Sequence, residues 1–501
     1  MKAAKNNEDD NYTSWLLDPR KGKILRYTEN ISDDFDRSNP PSIWFSKRLF
    51  VTVMLFMCFL SSAMVRSNVN IAVVDMTSNK SIVRDGLNIT IPPEFDWDST
   101  TIGVIFSIFS YGALLSFLGA FPVAAFGPST SCSVSIMIMG VTTLLHSASL
   151  YANFYLFLIC RFISGLAEAF FNVSTAEIFT RWIPQSERST LVSFSFNGAN
   201  VGFAIAYPVL GFLAYNFGWQ TIFYFTGIIP MVLSVILLMF VKNRPCQDVW
   251  ISKQELQYIS RETNMYLPRH MVIHPYRMIF TSAAVWALLV GKFIHGWITS
   301  VLNVYFPIYV EDLTHTTTDE VGLISSIPTV VYIFMFPIAG TMMDYWKTHS
   351  HLTMTQIHKI IMSFTLITAG ILFVAIAIIS NFTVSMVMFV IIQILMSFVI
   401  LILELVTVNL APNDTSIIAG LSTFSAAFSS IISRTIIGFI ITEHTLHEWN
   451  DCFILTAFVL ISGAVIFVKY GSSEAQPWSL EVFSDAGYSS FDSQETRKDF
   501  R

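Results

Sequence analysis

The chain has 501 residues, 53% of them hydrophobic and only 13% charged, with a formal net charge of −6. Soluble domains carry roughly a quarter charged residues, so this composition excludes an ordinary water-soluble globule. The apolar residues come in blocks of about 20, the length that crosses about 30 Å of hydrocarbon at 1.5 Å per helical residue. They predict a polytopic, all-α membrane protein.

Residues 1–48 are polar, rich in Asp and Asn, and read as a tail. The first apolar run starts at Leu49 and is too long for the core of a cleavable signal. Twelve spans are predicted: 49–75, 101–126, 130–150, 153–179, 190–214, 219–241, 280–310, 320–345, 357–379, 384–408, 415–441 and 450–470. Two connections are long, 76–100 and 242–279, and the second divides the spans six and six. The expected organisation is a tail (1–48), a six-helix lobe (49–241), a central loop (242–279), a second six-helix lobe (280–470) and a final tail (471–501). Within the central loop, "ISKQELQYISRE" spaces Ile251, Leu256 and Ile259 as a short amphipathic helix that would bridge the halves.

Lys and Arg placement orients the bundle. The side holding both termini carries 23 of the 29 basic residues, with Lys359 and Lys469 at span ends counted there; the opposite side has only Lys80 and Arg84, and four lie deep within spans. Both termini are therefore expected in the cytoplasm, and loop 76–100 in the lumen or outside the cell. That loop holds two glycosylation sequons, "NKS" at Asn79 and "NIT" at Asn88. A "YSSF" stretch at Tyr488 leaves plasma membrane and endolysosomal or vesicular membrane both open. Four of the five cysteines, Cys58, Cys132, Cys160 and Cys452, lie in or at the edge of apolar runs, and Cys246 lies in a polar stretch. No disulfide framework, metal-ligand spacing, cofactor motif or enzyme signature appears, and no nucleic-acid partner is expected beside the surrounding lipid.

The informative residues are the charges inside the spans. A charged side chain at mid-bilayer costs about 2.5–3.5 kcal/mol on insertion scales. Span 1 carries Arg66; span 4, "CRFISGLAEAFFNVSTAEIF", carries Arg161 and Glu168; span 7 carries Lys292 and His295; span 10 carries Glu404; span 11 carries Arg434. Arg161 and Glu168 share a helix face but stand about 10 Å apart along the axis, so each should find partners on other helices. Lys292 could snorkel to the surface, and Glu404 and Arg434 could pair with each other. Four cations against two anions leave a surplus of +2, which an anionic solute would complete. Glu168, Glu404 and His295 could exchange a coupling proton. In span 5, "GANVG" is a small-xxx-small pattern for close helix contact. Pro208, Pro307, Pro328 and Pro337 mark possible bending points.

Several stretches together resemble the anion-transporting solute carriers that include sialin, the sodium/phosphate cotransporters and the vesicular glutamate transporters, within the major facilitator superfamily. They are "RSNVNIAVVDM", "WDSTTIGVIFSIFSYG", "RFISGLAE", "WIPQSERSTLVSFSFNGANVG", "ISKQELQYI", "VGLISSIPTVV", "APNDTSIIAGLS" and "EWNDCFILTAFVLISGAVIFVKYGSSEAQPW". The resemblance runs from about residue 48 to 478 and implies two lobes that alternate access to a midplane site. It also implies that Arg66, Arg161 and Glu168 serve anion binding and proton coupling. The chain departs from the pattern in places. "GAFPVAAFGPST" lacks the usual basic residue between spans 2 and 3. Phe106 and His295 stand where the glutamate carriers have His and Arg, and Glu404 and Arg434 replace residues that are usually uncharged.

The sequence thus points to a secondary active transporter of an organic anion or inorganic phosphate, coupled to H+ or Na+. Its substrate and ion pathway would run through Arg66, Arg161, Glu168, His295, Glu404 and Arg434. An anion channel or a non-transporting receptor on the same fold are the alternatives.

Overall fold

The computed structural model describes residues 41–77, 80–84, 87–91, 94–95, 97–263, 276–314, 318–379, 381–442 and 445–480. Twelve helices are long and apolar enough to cross a membrane. We label them α1 (Lys47–Thr77), α2 (Thr101–Phe126), α3 (Pro128–Ala152), α4 (Phe154–Trp182), α5 (Arg188–Phe217), α6 (Trp219–Phe240), α7 (Ala283–Thr314), α8 (Ile324–His349), α9 (Met354–Ile379), α10 (Phe382–Asn409), α11 (Thr415–Ile440) and α12 (Leu446–Tyr470). Helices dominate because hydrocarbon offers no partner for backbone polar groups, which a helix satisfies internally. A small antiparallel hairpin follows α1: β1 (Lys80–Arg84) pairs with β2 (Leu87–Ile91), Lys80 opposite Ile91 and Arg84 opposite Leu87. The protein is therefore nearly all-helical. Asn88 lies in β2, and Asn79 lies outside the described residues.

Two spans change pitch along their length. In α2 the α-helix gives way to a 3-10 stretch at Leu114–Gly119. In α7 a π turn covers Val301–Tyr305, and the Phe306 N–H reaches back five residues to the Val301 carbonyl. Pro307 follows at once; it has no N–H to donate, so the turn before it widens.

The small-residue pattern of α5 brings that helix onto α1. A methyl group added at Gly198 would stand 2.1 Å from the Phe56 carbonyl oxygen, and one at Gly202 2.5 Å from that of Leu60. Backbone meets backbone there, and no side chain can yield.

The predicted amphipathic helix is present at Lys253–Glu262, capped by the Ser252 hydroxyl, with Ile259 fully buried. It is fastened to the first lobe. The Glu255 carboxylate accepts the backbone N–H groups of Lys47 (3.1 Å) and Arg48 (3.0 Å), and so caps α1. Arg48 is wholly buried, pairs with Glu187 at 3.0 Å and lies over the Tyr258 ring. Burial raises the Glu187 carboxyl above its ordinary range, and Arg48 opposes that shift. Toward the second lobe the charge of Glu262 reaches Lys347.

Replacing Gly198 by Ala is expected to destabilise the protein by about 1–3 kcal/mol, as overpacking does. Gly211→Ala, where an added methyl meets nothing within 4 Å, should be neutral. Thermal unfolding of the two detergent-solubilised variants checks the pair.

Candidate functional site

The charges of the first lobe converge where α1, α2 and α4 meet. Gly165 of α4 lies against the backbone of α2, where an added methyl would come within 2.0 Å of the Phe109 carbonyl oxygen. This approach puts the Phe109 ring under two guanidinium groups, with Arg161 4.5 Å and Arg66 5.5 Å from its centroid. A cation over an aromatic face recovers part of its lost hydration.

Glu168 is 7% exposed. Its Oε2 meets Arg66 Nη2 at 3.1 Å, and its Oε1 accepts the Ser62 hydroxyl at 3.1 Å. Arg161 is 2% exposed and forms no ion pair with a carboxylate among the described residues. It donates to the carbonyls of Val65 (3.2 Å) and Arg66 (3.1 Å) and to Asn68 Oδ1 (3.4 Å), leaving its Nε without a partner. The expectation that Arg161 and Glu168 look to another helix holds, and α1 supplies both partners. Arg66 differs from them in exposure, at 47% of its side chain. It faces Phe109, Glu168 and, across the lobe boundary, the charge of Arg434. Its open half therefore looks into the gap between the lobes.

In the second lobe Lys292 Nζ meets Glu404 Oε1 at 2.5 Å. Lys292 is 5% exposed; it does not snorkel, because a carboxylate on the neighbouring α10 holds it in place. Glu404 thus pairs with Lys292 and not with Arg434. Arg434 is exposed, and no carboxylate among the described residues pairs with it; its carbonyl accepts the Tyr305 hydroxyl at 2.8 Å. His295 stands one turn along α7 from Lys292, half-buried, with Nδ1 lacking a partner. The structure brings Arg66, Arg161, Glu168 and Arg434 into one neighbourhood and puts Glu404 with Lys292 in a second.

Sequence reasoning passed over His146. It is fully buried on α3 between Phe157 and Phe223, with neither ring nitrogen bonded, and the charge of Arg161 reaches it. A lone histidine within an apolar run gives no signal of that placement.

The gap is closed at one end. Every hydrogen bond between the lobes among the described residues lies in the half of the bundle nearer the chain termini or close to its middle. Asp344 of α8 caps α5 across the boundary, accepting from Ser189 N (3.2 Å), Thr190 N (2.7 Å) and Thr190 Oγ1 (2.7 Å). Lys347 donates to the Gln185 carbonyl, Arg188 to Asn409, Ser116 to the Gly420 carbonyl and Asn197 to the Ile333 carbonyl, while Thr180 meets Thr415 at 3.2 Å. The loop between α2 and α3, which has no basic residue, is held by Asn243. The Asn243 amide accepts from Ser129 N and donates to the Phe126 carbonyl around Gly127, whose φ is +86°.

A two-lobed bundle of twelve helices with basic and acidic side chains at the lobe boundary is the build of a membrane transporter. Residues 55–433 match the profile of the Major Facilitator Superfamily, and the chain belongs to that family. It is 26% identical over 440 residues to vesicular glutamate transporter 2 of Homo sapiens, covering 86% of this chain and 75% of the relative. It is 24% identical over 438 residues to vesicular glutamate transporter 3 of Danio rerio, covering 86% and 74%. Among solved structures, a double-Trp mutant of XylE superposes with a TM-score of 0.68 at 13% identity, covering 86% of this chain and 98% of that one. The E. coli fucose:proton symporter FucP gives 0.59 at 13%, covering 84% and 98%.

Asp344→Ala removes the acceptor of three donors, so the closed end should loosen. With cysteines at Thr180 and Thr415 reporting closure, this change is expected to slow disulfide formation about tenfold, in line with the loss of charge-assisted hydrogen bonds.

Proposed function

We propose that this protein is a secondary carrier of a small organic anion or inorganic phosphate, coupled to a proton. The supporting observation is the exposed half of Arg66, set beside Arg434 in a gap where guanidinium outnumbers carboxylate. A planar guanidinium grips two oxygens of a carboxylate or phosphate at once. An anion entering from the open end meets Arg66 and Arg434, one from each lobe, so its binding favours their approach.

The same anion competes with Glu168 for Arg66. A carboxylate that loses its cation while keeping only the Ser62 hydroxyl is costly in a low-dielectric site, and taking up a proton relieves that cost. Substrate and proton then load together. Arg161, held by backbone carbonyls, keeps the local potential positive and α1 in place. Phe106 and His295 set the substrate apart from glutamate, which the curated relatives carry by name.

The distribution of Lys and Arg supports cytoplasmic termini, which makes the closed end the cytoplasmic one and puts the hairpin in the lumen or outside the cell. The relatives' names favour a vesicular membrane over the plasma membrane. The six-and-six division at the central loop provides the two bodies that rock.

In proteoliposomes, wild-type protein is expected to accumulate a labelled anion under an imposed pH gradient. Arg66→Ala should lower uptake at least about tenfold, the scale of one lost charge-assisted contact. Glu168→Gln should retain anion exchange but lose gradient-driven accumulation. Wild-type uptake by Arg66→Ala would remove the assignment. Separately, Asn79→Gln and Asn88→Gln should each raise gel mobility in cell-expressed protein, and endoglycosidase should erase the difference.

A further inference from the structure

At the closed end, between the two lobes, lies a cavity of about 310 Å³. Arg181 and Arg188 line it from the first lobe, Arg244 from the central loop and Lys347 from the second lobe, together with Asn409 and Glu474. That volume sits at the lower end of the range for small-molecule pockets. It is separate from the neighbourhood of Arg66, since none of its lining residues touches that cluster.

Two of its guanidinium groups have unused donors. Arg188 is 4% exposed; it donates to Asn409 Oδ1 and the Ile183 carbonyl, and its Nε has no partner. The Arg244 side chain forms no hydrogen bond or ion pair with the described residues, although it is half-buried. Arg181 is engaged by Glu177 at 3.0 Å. Among the described residues Glu474 is the only carboxylate on the wall; Glu262 and Asp344 reach Arg188 and Lys347 through their charge, and Asp344 is already committed to the start of α5. A buried guanidinium with an unused N–H is costly, and an oxyanion with several acceptors satisfies it bidentately.

We propose that this cavity binds a phosphate-bearing anion and that the bound anion holds the lobes together at this end. Its walls come from both lobes, so the site exists only while the end is closed. A ligand that binds one conformation alone shifts the population toward it. The anion is therefore a brake on alternating access, distinct from the transported solute.

The test uses full-length protein with inorganic phosphate and pyrophosphate as probes, and thermal shift as the readout. Pyrophosphate is expected to stabilise wild type and Arg66→Ala alike, and Arg244→Gln should bind it about tenfold more weakly, with Arg244→Lys intermediate. Pyrophosphate should also speed disulfide formation between cysteines at Thr180 and Thr415. A water-soluble phosphoinositide, run in parallel, distinguishes a lipid headgroup from a free anion; tighter binding than pyrophosphate with the same Arg244 dependence assigns the site to lipid. The proposal is overturned if neither probe nor the phosphoinositide stabilises the protein. It is equally overturned if Arg66→Ala abolishes the effect while Arg244→Gln does not, or if pyrophosphate slows the disulfide. Loss of uptake in Arg66→Ala with pyrophosphate binding intact separates this site from the central one.

Discussion

A guanidinium inside a bilayer costs several kcal/mol unless something nearby stands in for water, and each cation within these spans has a different substitute. Arg161 has backbone carbonyls and an amide oxygen of α1. Arg66 has one carboxylate and an open side; Lys292 has Glu404; Arg434 faces the gap without a carboxylate of its own. These substitutions decide which helices must touch. Once α4 commits Arg161 and Glu168 to α1, the glycines at 165 and 198 are needed to let α2 and α5 come close enough to enclose the cluster.

The two ends of the bundle are built differently as a result. Toward the termini, the lobes meet through backbone acceptors, a carboxylate cap and a hydroxyl pair, all short-range contacts that must break together when the lobes part. At the opposite end no hydrogen bond joins described residues of the two lobes, and the half-exposed Arg66 lies at the lobe boundary near Arg434. Packed interfaces behave as bistable elements more readily than as continuous ones. A carrier with one end latched and the other open is suited to that behaviour.

Much of this was legible in the residues because hydrocarbon imposes one strict rule, that apolar runs of a set length become helices. The twelve spans, the capped helix of the central loop and the close approach at Gly198 all follow from local pattern. Partner choice did not follow. Lys292 reads as a residue free to snorkel until α10 places Glu404 beside it, and the pairing of Glu404 with Arg434 looked equally open. Spacing along one helix says which face a residue occupies, but not which neighbour occupies the facing position. Asp344 shows the same limit: a lone carboxylate near the end of an apolar run gives no hint that it caps a helix in the other lobe. The β1–β2 hairpin likewise depends on two short segments pairing within a connection, for which the membrane supplies no constraint.

Arg66 is moored twice to the same helix, by its carbonyl to Arg161 and by its guanidinium to Glu168. Only the second mooring faces the opening. In the carrier proposed above, a solute at Arg66 would unhook the side chain while the main chain stays anchored, so occupancy would be sensed by a rotamer change and not by unravelling α1. On that proposal α1 would keep its backbone bond to Arg161 throughout and stay whole as it reported occupancy to the rest of its lobe.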